Sequence, residues 1–161
     1  MISVLTYDML NLADIGEILG LYKDGYIQIE PKLKKVAIID LGIEKKDIIA
    51  LSDFNFSINI FSHKFNLSQL LSLKSDVYIL WGSENELGNI DCMVNKIKKL
   101  IGKKTIIGIG SGKVVLKSIM NDLDEANWKY DNEVMKHCKY EIYCLDNSDI
   151  EKINKIVKKG V

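Results

Sequence analysis

The chain predicts an α/β domain in which a central mixed sheet is flanked by helices. Three observations carry that reading. The runs Val36–Leu41 (VAIIDL), Asp76–Trp81 (DVYILW) and Thr105–Ile109 (TIIGI) hold too few polar residues for solvent-facing strands. Between such runs, apolar residues recur every three to four positions, the helical period. The two patterns alternate for most of the 161 residues, as a layered α/β fold requires.

In chain order, Ile2–Thr6 reads as a short strand or a helix lead-in. Met9, Leu12, Ile15, Ile18, Leu19 and Tyr22 fall at helical spacing, with Asp8, Asp14 and Glu17 on the other face. Asp24-Gly25 signals a turn, and Tyr26, Ile27 and Ile29 form a strand stopped by Pro31. After Val36–Leu41, Glu44–Leu51 is a short helix. Phe56, Ile58 and Ile60 alternate with polar residues, which predicts a strand with one exposed face. Asn66 caps a helix through Leu73, and a polar loop from Gly82 to Gly88 follows the Asp76–Trp81 strand. Met93, Val94, Ile97, Leu100 and Ile101 make a helix stripe that Gly102 is placed to end. From Val114 the positions Val115, Ile119, Leu123, Ala126 and Tyr130 predict one long helix after the third buried strand, closed by Trp128 and Tyr130. Tyr140–Leu145 is a last strand and Asp149–Val157 a last helix.

Composition narrows the function classes. Lysine plus arginine and aspartate plus glutamate both number 22, so the formal net charge is zero. Nucleic-acid binders usually carry a basic excess to neutralise phosphates, so no nucleic-acid partner is expected. No apolar run reaches the length of a membrane span and no signal-peptide pattern opens the chain. Cys92, Cys138 and Cys144 form no CxxC and are odd in number, which suits reduced thiols in a cytoplasmic protein. With one proline and no Ser/Gly-rich linker, the expectation is a single compact α/β domain over residues 1–161, with 1–70 and 74–146 as its subdivisions.

Residues 107–110 read I-G-I-G, Glu125-Ala126 follows in the predicted helix, and Tyr140-Glu141-Ile142-Tyr143 forms the next strand. This pattern resembles the GGDEF fold of nucleotidyl cyclases. It is closer still to the degenerate GGDEF-like regulatory domains of bacterial sugar-diacid, purine-catabolism and AraC-type regulators. The resemblance spans roughly residues 74–146 and implies a ferredoxin-like C-terminal half. The cyclase signature would fall at Lys74-Ser75-Asp76-Val77-Tyr78, where both glycines and the fourth acidic residue are absent. Cyclase chemistry uses those glycines for close backbone approach and paired carboxylates for two metal ions. The resemblance therefore implies a non-catalytic regulatory or small-molecule-sensing domain, acting by ligand binding, by homodimer formation or through a partner protein. The alternative fold is a doubly wound receiver- or flavodoxin-like parallel sheet.

Candidate site residues come from the strand ends. Gly108, Gly110, Ser111, Gly112 and Lys113 lead from a strand into a helix N-terminus, the topology of an anion or phosphate site. Lys113 stands where a dinucleotide fingerprint has its third glycine, so the turn matches neither that motif nor a P-loop. The other reading of these glycines is a tight turn alone. Asp40, Asp76 and Glu84 are the carboxylate candidates, with Glu86 beside the last in a loop at a strand end. A competing class of function, an enzyme acting on a phosphorylated substrate at residues 108–113, requires those carboxylates to gather beside the turn. A third class is a protein-interaction module. In a receiver-like reading Trp81 and Gly82 occupy the phosphoacceptor position, which disfavours phosphotransfer, and a loop-ordering role suits Asp40. His63 and His137 lack partners at metal-ligand spacing and read as structural or exposed, so no metal site is expected. Lys96, Lys98, Lys99, Lys103 and Lys104 read as a solvated helix end.

Overall fold

A computed structural model describes residues 2–5, 26–29, 34–54, 56–82, 91–120, 127–131, 134–145 and 149–159. The described strands are β1 (Ile2–Leu5), β2 (Tyr26–Ile29), β3 (Lys34–Leu41), β4 (Phe56–Ser62), β5 (Val77–Gly82), β6 (Thr105–Ile109), β7 (Trp128–Asp131), β8 (Val134–His137) and β9 (Ile142–Leu145). The described helices are α1 (Lys45–Ser52), α2 (Leu67–Ser72), α3 (Asp91–Lys98), α4 (Ser111–Met120) and α5 (Ile150–Lys159). The fold is α/β with a central mixed sheet, in the order β1-β2-β4-β3-β5-β6-β9-β8-β7.

The inner five strands, β4-β3-β5-β6-β9, are mutually parallel. Antiparallel pairings join β2 to β4 and β8 to both β7 and β9. The parallel run of β5, β6 and β9 is the arrangement of the doubly wound alternative over residues that the cyclase-like reading would fold as a ferredoxin-like half. The reason lies in the connections: a helix follows β5 and another follows β6, and helical crossovers join parallel neighbours.

Parallel strands with helices on both faces must be apolar on both faces. One core layer joins Val36, Ile38, Val77, Ile79, Trp81, Ile107 and Ile109 to Ile48 and Leu51 of α1 and to Ile153 and Val157 of α5. The other joins Ala37, Ile39, Tyr78, Leu80 and Ile106 to Leu70 of α2, Met93 and Ile97 of α3, and Val115 and Leu116 of α4. The order of the strands reverses between β3 and β5: β3 connects to β4 on one side, and the chain then returns past β3 to β5 on the other. α1 and α2, which serve these two connections, pack in opposite layers.

Three expectations change. The strand at 56–62 has no exposed face, because β4 lies between β2 and β3 and is covered on both sides, burying Ser57 and Asn59. The described helix after β6 spans Ser111–Met120. Trp128 and Tyr130 instead lie on β7, hairpinned to β8 in the register Trp128↔His137 and Tyr130↔Met135. The spacing of Val114 and Tyr130 imitated a helical face, yet both are exposed (67% and 66%), and α4 buries Val115 and Leu116 instead. The Glu125-Ala126 pair, the predicted helix at 9–22 and the turn at 24–25 lie outside the described residues. Among those described, no helix is long and apolar enough to cross a membrane.

Ile79 is fully buried at the centre of the first layer, so Ile79→Ala is expected to cost about 2–5 kcal/mol in urea unfolding. Burial raises the phenol pKa of Tyr78, and burial together with the hydrogen bond to Glu141 raises that of Tyr143. A raised folded-state value means that this stabilisation is complete below pH 10, the ordinary phenol value, and is lost as pH rises through the folded value. Absorbance titration should find these two phenols ionising after the exposed tyrosines, with stability falling over the same alkaline interval.

Candidate functional site at the carboxyl ends of the strands

Parallel register aligns Asp40, Trp81, Ile109 and Leu145 in one row across β3, β5, β6 and β9. The row ends at the edge where open α/β sheets hold ligands, beside the reversal of strand order. Just beyond it, Gly110 takes φ +60° and the chain enters α4 at Ser111. The amide of Lys113 donates to the Gly110 carbonyl at 3.1 Å, closing the turn.

The neighbouring glycines are there for space. A Cβ on Gly108 would lie 2.7 Å from Leu116 Cδ1 and 2.9 Å from the Gly112 carbonyl oxygen. A Cβ on Gly112 would overlap the backbone carbonyl of Leu80. A Cβ on Gly82 would overlap Ser111 Oγ and sit 2.7 Å from Leu41. The ends of β3, β5 and β6 thus converge on α4 at backbone contact distance. A strand, a positive-φ residue, a helix, and glycines two positions before and two after form the backbone of a nucleophile elbow, the strained turn that lifts a reactive side chain above a sheet. The residue at the apex, Gly110, has no side chain.

Ser111, next to the apex, is buried, and its Oγ has no hydrogen-bond partner among the described residues. Asp40 Oδ1 accepts from the amides of Gly42 and Ile43, each at 2.9 Å, and so orders the loop into α1. It lies one residue before the end of β3, two strand spacings from the elbow, or roughly 10 Å. Asp76 lies at the opposite edge of the sheet, where its Oδ2 accepts from the Lys35 amide at 3.0 Å. Asp40 and Asp76 are therefore not brought together beside residues 108–113, and Glu84 and Glu86 lie outside the described residues.

The histidines are also far from the elbow. His63 follows β4, is exposed, and stands three strand spacings away, roughly 14 Å. His137 is buried at the far edge. Its Nδ1 accepts from the amides of Lys139 (3.1 Å) and Tyr140 (3.4 Å), and its ring meets Trp128 edge-on at 4.9 Å. Among the described residues, no group of three or more His, Cys, Asp or Glu side chains is placed to hold a metal ion. The lysine set divides: Lys96 Nζ donates to the Phe65 carbonyl and lies 5.1 Å from the centre of its ring, tying α3 to the loop after β4. Sequence reasoning found the glycine turn but read Gly82 as the start of a loop, whereas it is the last residue of β5 and packs against Ser111 and Leu41.

No protein-family model matches the chain. The carbamoyl phosphate synthase small chain of Clostridium perfringens is 34% identical over 83 residues, covering 52% of this chain and 24% of that protein. The same-named protein of Clostridium acetobutylicum is 24% identical over 135 residues, covering 84% of this chain and 36% of its relative. The matched stretches thus span about a quarter and about a third of these relatives.

Gly110 and Gly112 separate two kinds of constraint. At Gly110 the backbone stands at φ +60°, where an added methyl meets the left-handed backbone penalty, so Gly110→Ala is expected to cost about 1–2 kcal/mol. At Gly112 the methyl meets rigid backbone of β5, so Gly112→Ala should destabilise more in the same urea series. The reverse order would contradict the close approach of α4 to the sheet.

Proposed function

We propose that this chain is a non-catalytic regulatory or ligand-sensing domain, built on an elbow scaffold that has no nucleophile, and that it acts by binding. The observation that carries this is Gly110, which stands with φ +60° at the apex between β6 and α4. An elbow enzyme keeps its attacking atom at that point and sets a histidine base within hydrogen-bond reach of it. Here the apex is bare, and His63 and His137 lie three strand spacings away and at the opposite edge of the sheet.

The partial likeness to proteins named as small chains of a synthase favours a domain that works beside a second polypeptide. The competing reading, an enzyme acting on a phosphorylated substrate at residues 108–113, has less support, because Asp40 and Asp76 do not gather at the turn.

The test pairs chemistry with binding. The purified chain should hydrolyse activated esters and simple amides at the buffer rate, and serine-directed phosphonylating probes should leave Ser111 unlabelled. Turnover that disappears in Ser111→Ala would overturn the proposal, by showing that the neighbouring hydroxyl had taken over the apex role. In a thermal-shift screen of nucleotides and sugar phosphates, a bound ligand at about a hundred times its dissociation constant should add about 2.7 kcal/mol of stability.

A further inference from the structure

At the amino ends of the strands, opposite the elbow, lies a second site. A cleft of about 390 Å³ is lined by Asp76, residues 102–105 and residues 139–141, within the size range of small-molecule pockets. Three segments build it. Gly102, at φ +82°, turns the chain out of the α3 region and lies against the Tyr140 ring, 3.6 Å from where its own Cβ would be. Lys103 and Lys104 follow, and Thr105 starts β6. On the other side, the Tyr140 carbonyl accepts from the Ile142 amide at 2.8 Å, and the Glu141 carbonyl accepts from the Ile106 amide at 2.9 Å. These bonds fix residues 139–141 to the sheet edge. His137 stacks on Tyr140 at 5.4 Å and holds the turn through its Nδ1.

The charges in this cleft do not cancel. Asp76 is held by the Lys35 amide. Glu141 is engaged on both oxygens: Oε2 accepts from the Tyr143 hydroxyl at 2.9 Å, and Oε1 is 3.4 Å from Lys136 Nζ. The lining residues Lys103 and Lys104 have no ion pair among the described residues, and Lys139 Nζ lies 5.4 Å from the centre of the Tyr140 ring. With Glu141 compensated by Lys136, an excess of positive charge faces a preformed hollow. A neutral chain has no general reason to gather it there.

We infer that this cleft binds a small metabolite bearing a phosphate or pyrophosphate group, with Lys103, Lys104 and Lys139 contacting the phosphoryl oxygens and the Tyr140 ring forming one wall. Lysine serves phosphate as a point charge, and three such charges favour a multiply charged anion. The cleft lies at the other end of the sheet from Gly110, so the inference deepens the ligand-binding reading proposed above by naming its site and ligand class, and it does not depend on whether the elbow is catalytically empty.

The test titrates pyrophosphate into the full chain by calorimetry and by amide NMR. Wild type should bind it, with shifts confined to residues 102–105 and 139–141 and an affinity that falls as salt is raised. The double variant Lys103→Gln/Lys104→Gln should lose about tenfold or more in affinity, Lys139→Gln should lose less, and Lys155→Gln on the opposite face should match wild type. All four lysines are exposed, so the variants should keep the wild-type melting temperature. Absence of binding at millimolar pyrophosphate, equal binding by the double variant, or citrate binding as tightly as pyrophosphate would each overturn the inference.

Discussion

The close approach of α4 to the sheet is the contact on which the rest of the structure depends. Gly108 and Gly112 remove the side chains that would hold the helix away, and Leu80 of β5 lies directly beneath Gly112. With α4 this low, Val115 and Leu116 reach the layer formed by Leu80, Ile106 and Cys144. The ends of β3, β5 and β6 then meet at Leu41, Gly82 and Ser111. Close packing leaves no slack for a methyl group at such points. The turn at Gly110 is therefore set by packing as well as by its own backbone freedom.

That geometry gives the two edges of one sheet different chemistry. At the carboxyl edge the backbone is shaped as a nucleophile elbow, yet its apex is glycine and the nearest carboxylate on β3 is occupied in ordering a loop. At the amino edge the turns before β5, β6 and β9 bring three lysines and a tyrosine around a hollow, with the neighbouring carboxylates engaged elsewhere. The first edge keeps the form of a reactive site without the reactive atom. The second has charge and volume, the elements of the binding site proposed there.

Strands buried on both faces were legible because a short run that is apolar at every position suits an interior strand and little else. That is why Val36–Leu41, Asp76–Trp81 and Thr105–Ile109 lie close to the strands β3, β5 and β6. The β7–β8 hairpin was not legible. Its four-residue strands are too short to establish an alternation of their own, and Val114 and Tyr130 happened to continue a helical spacing. Ser57 and Asn59 misled for a different reason: polar residues usually mark an exposed face, but these sit on an interior strand that is covered on both sides. Of the candidate site, the glycine turn could be read from its residues. The separation of Asp40 from Asp76 could not, because it depends on which end of a strand each residue occupies.

The sequence by itself determined the α/β class, most of the strands and the strand-to-helix turn at residues 108–113, since periodicity and glycine placement are local properties of the chain. Only the tertiary structure decided the strand order, the reversal between β3 and β5, the emptiness of the elbow and the cleft that joins residues 76, 102–105 and 139–141. Those features depend on contacts between segments far apart in the chain, and such contacts are settled by how the two core layers pack, which no local pattern records.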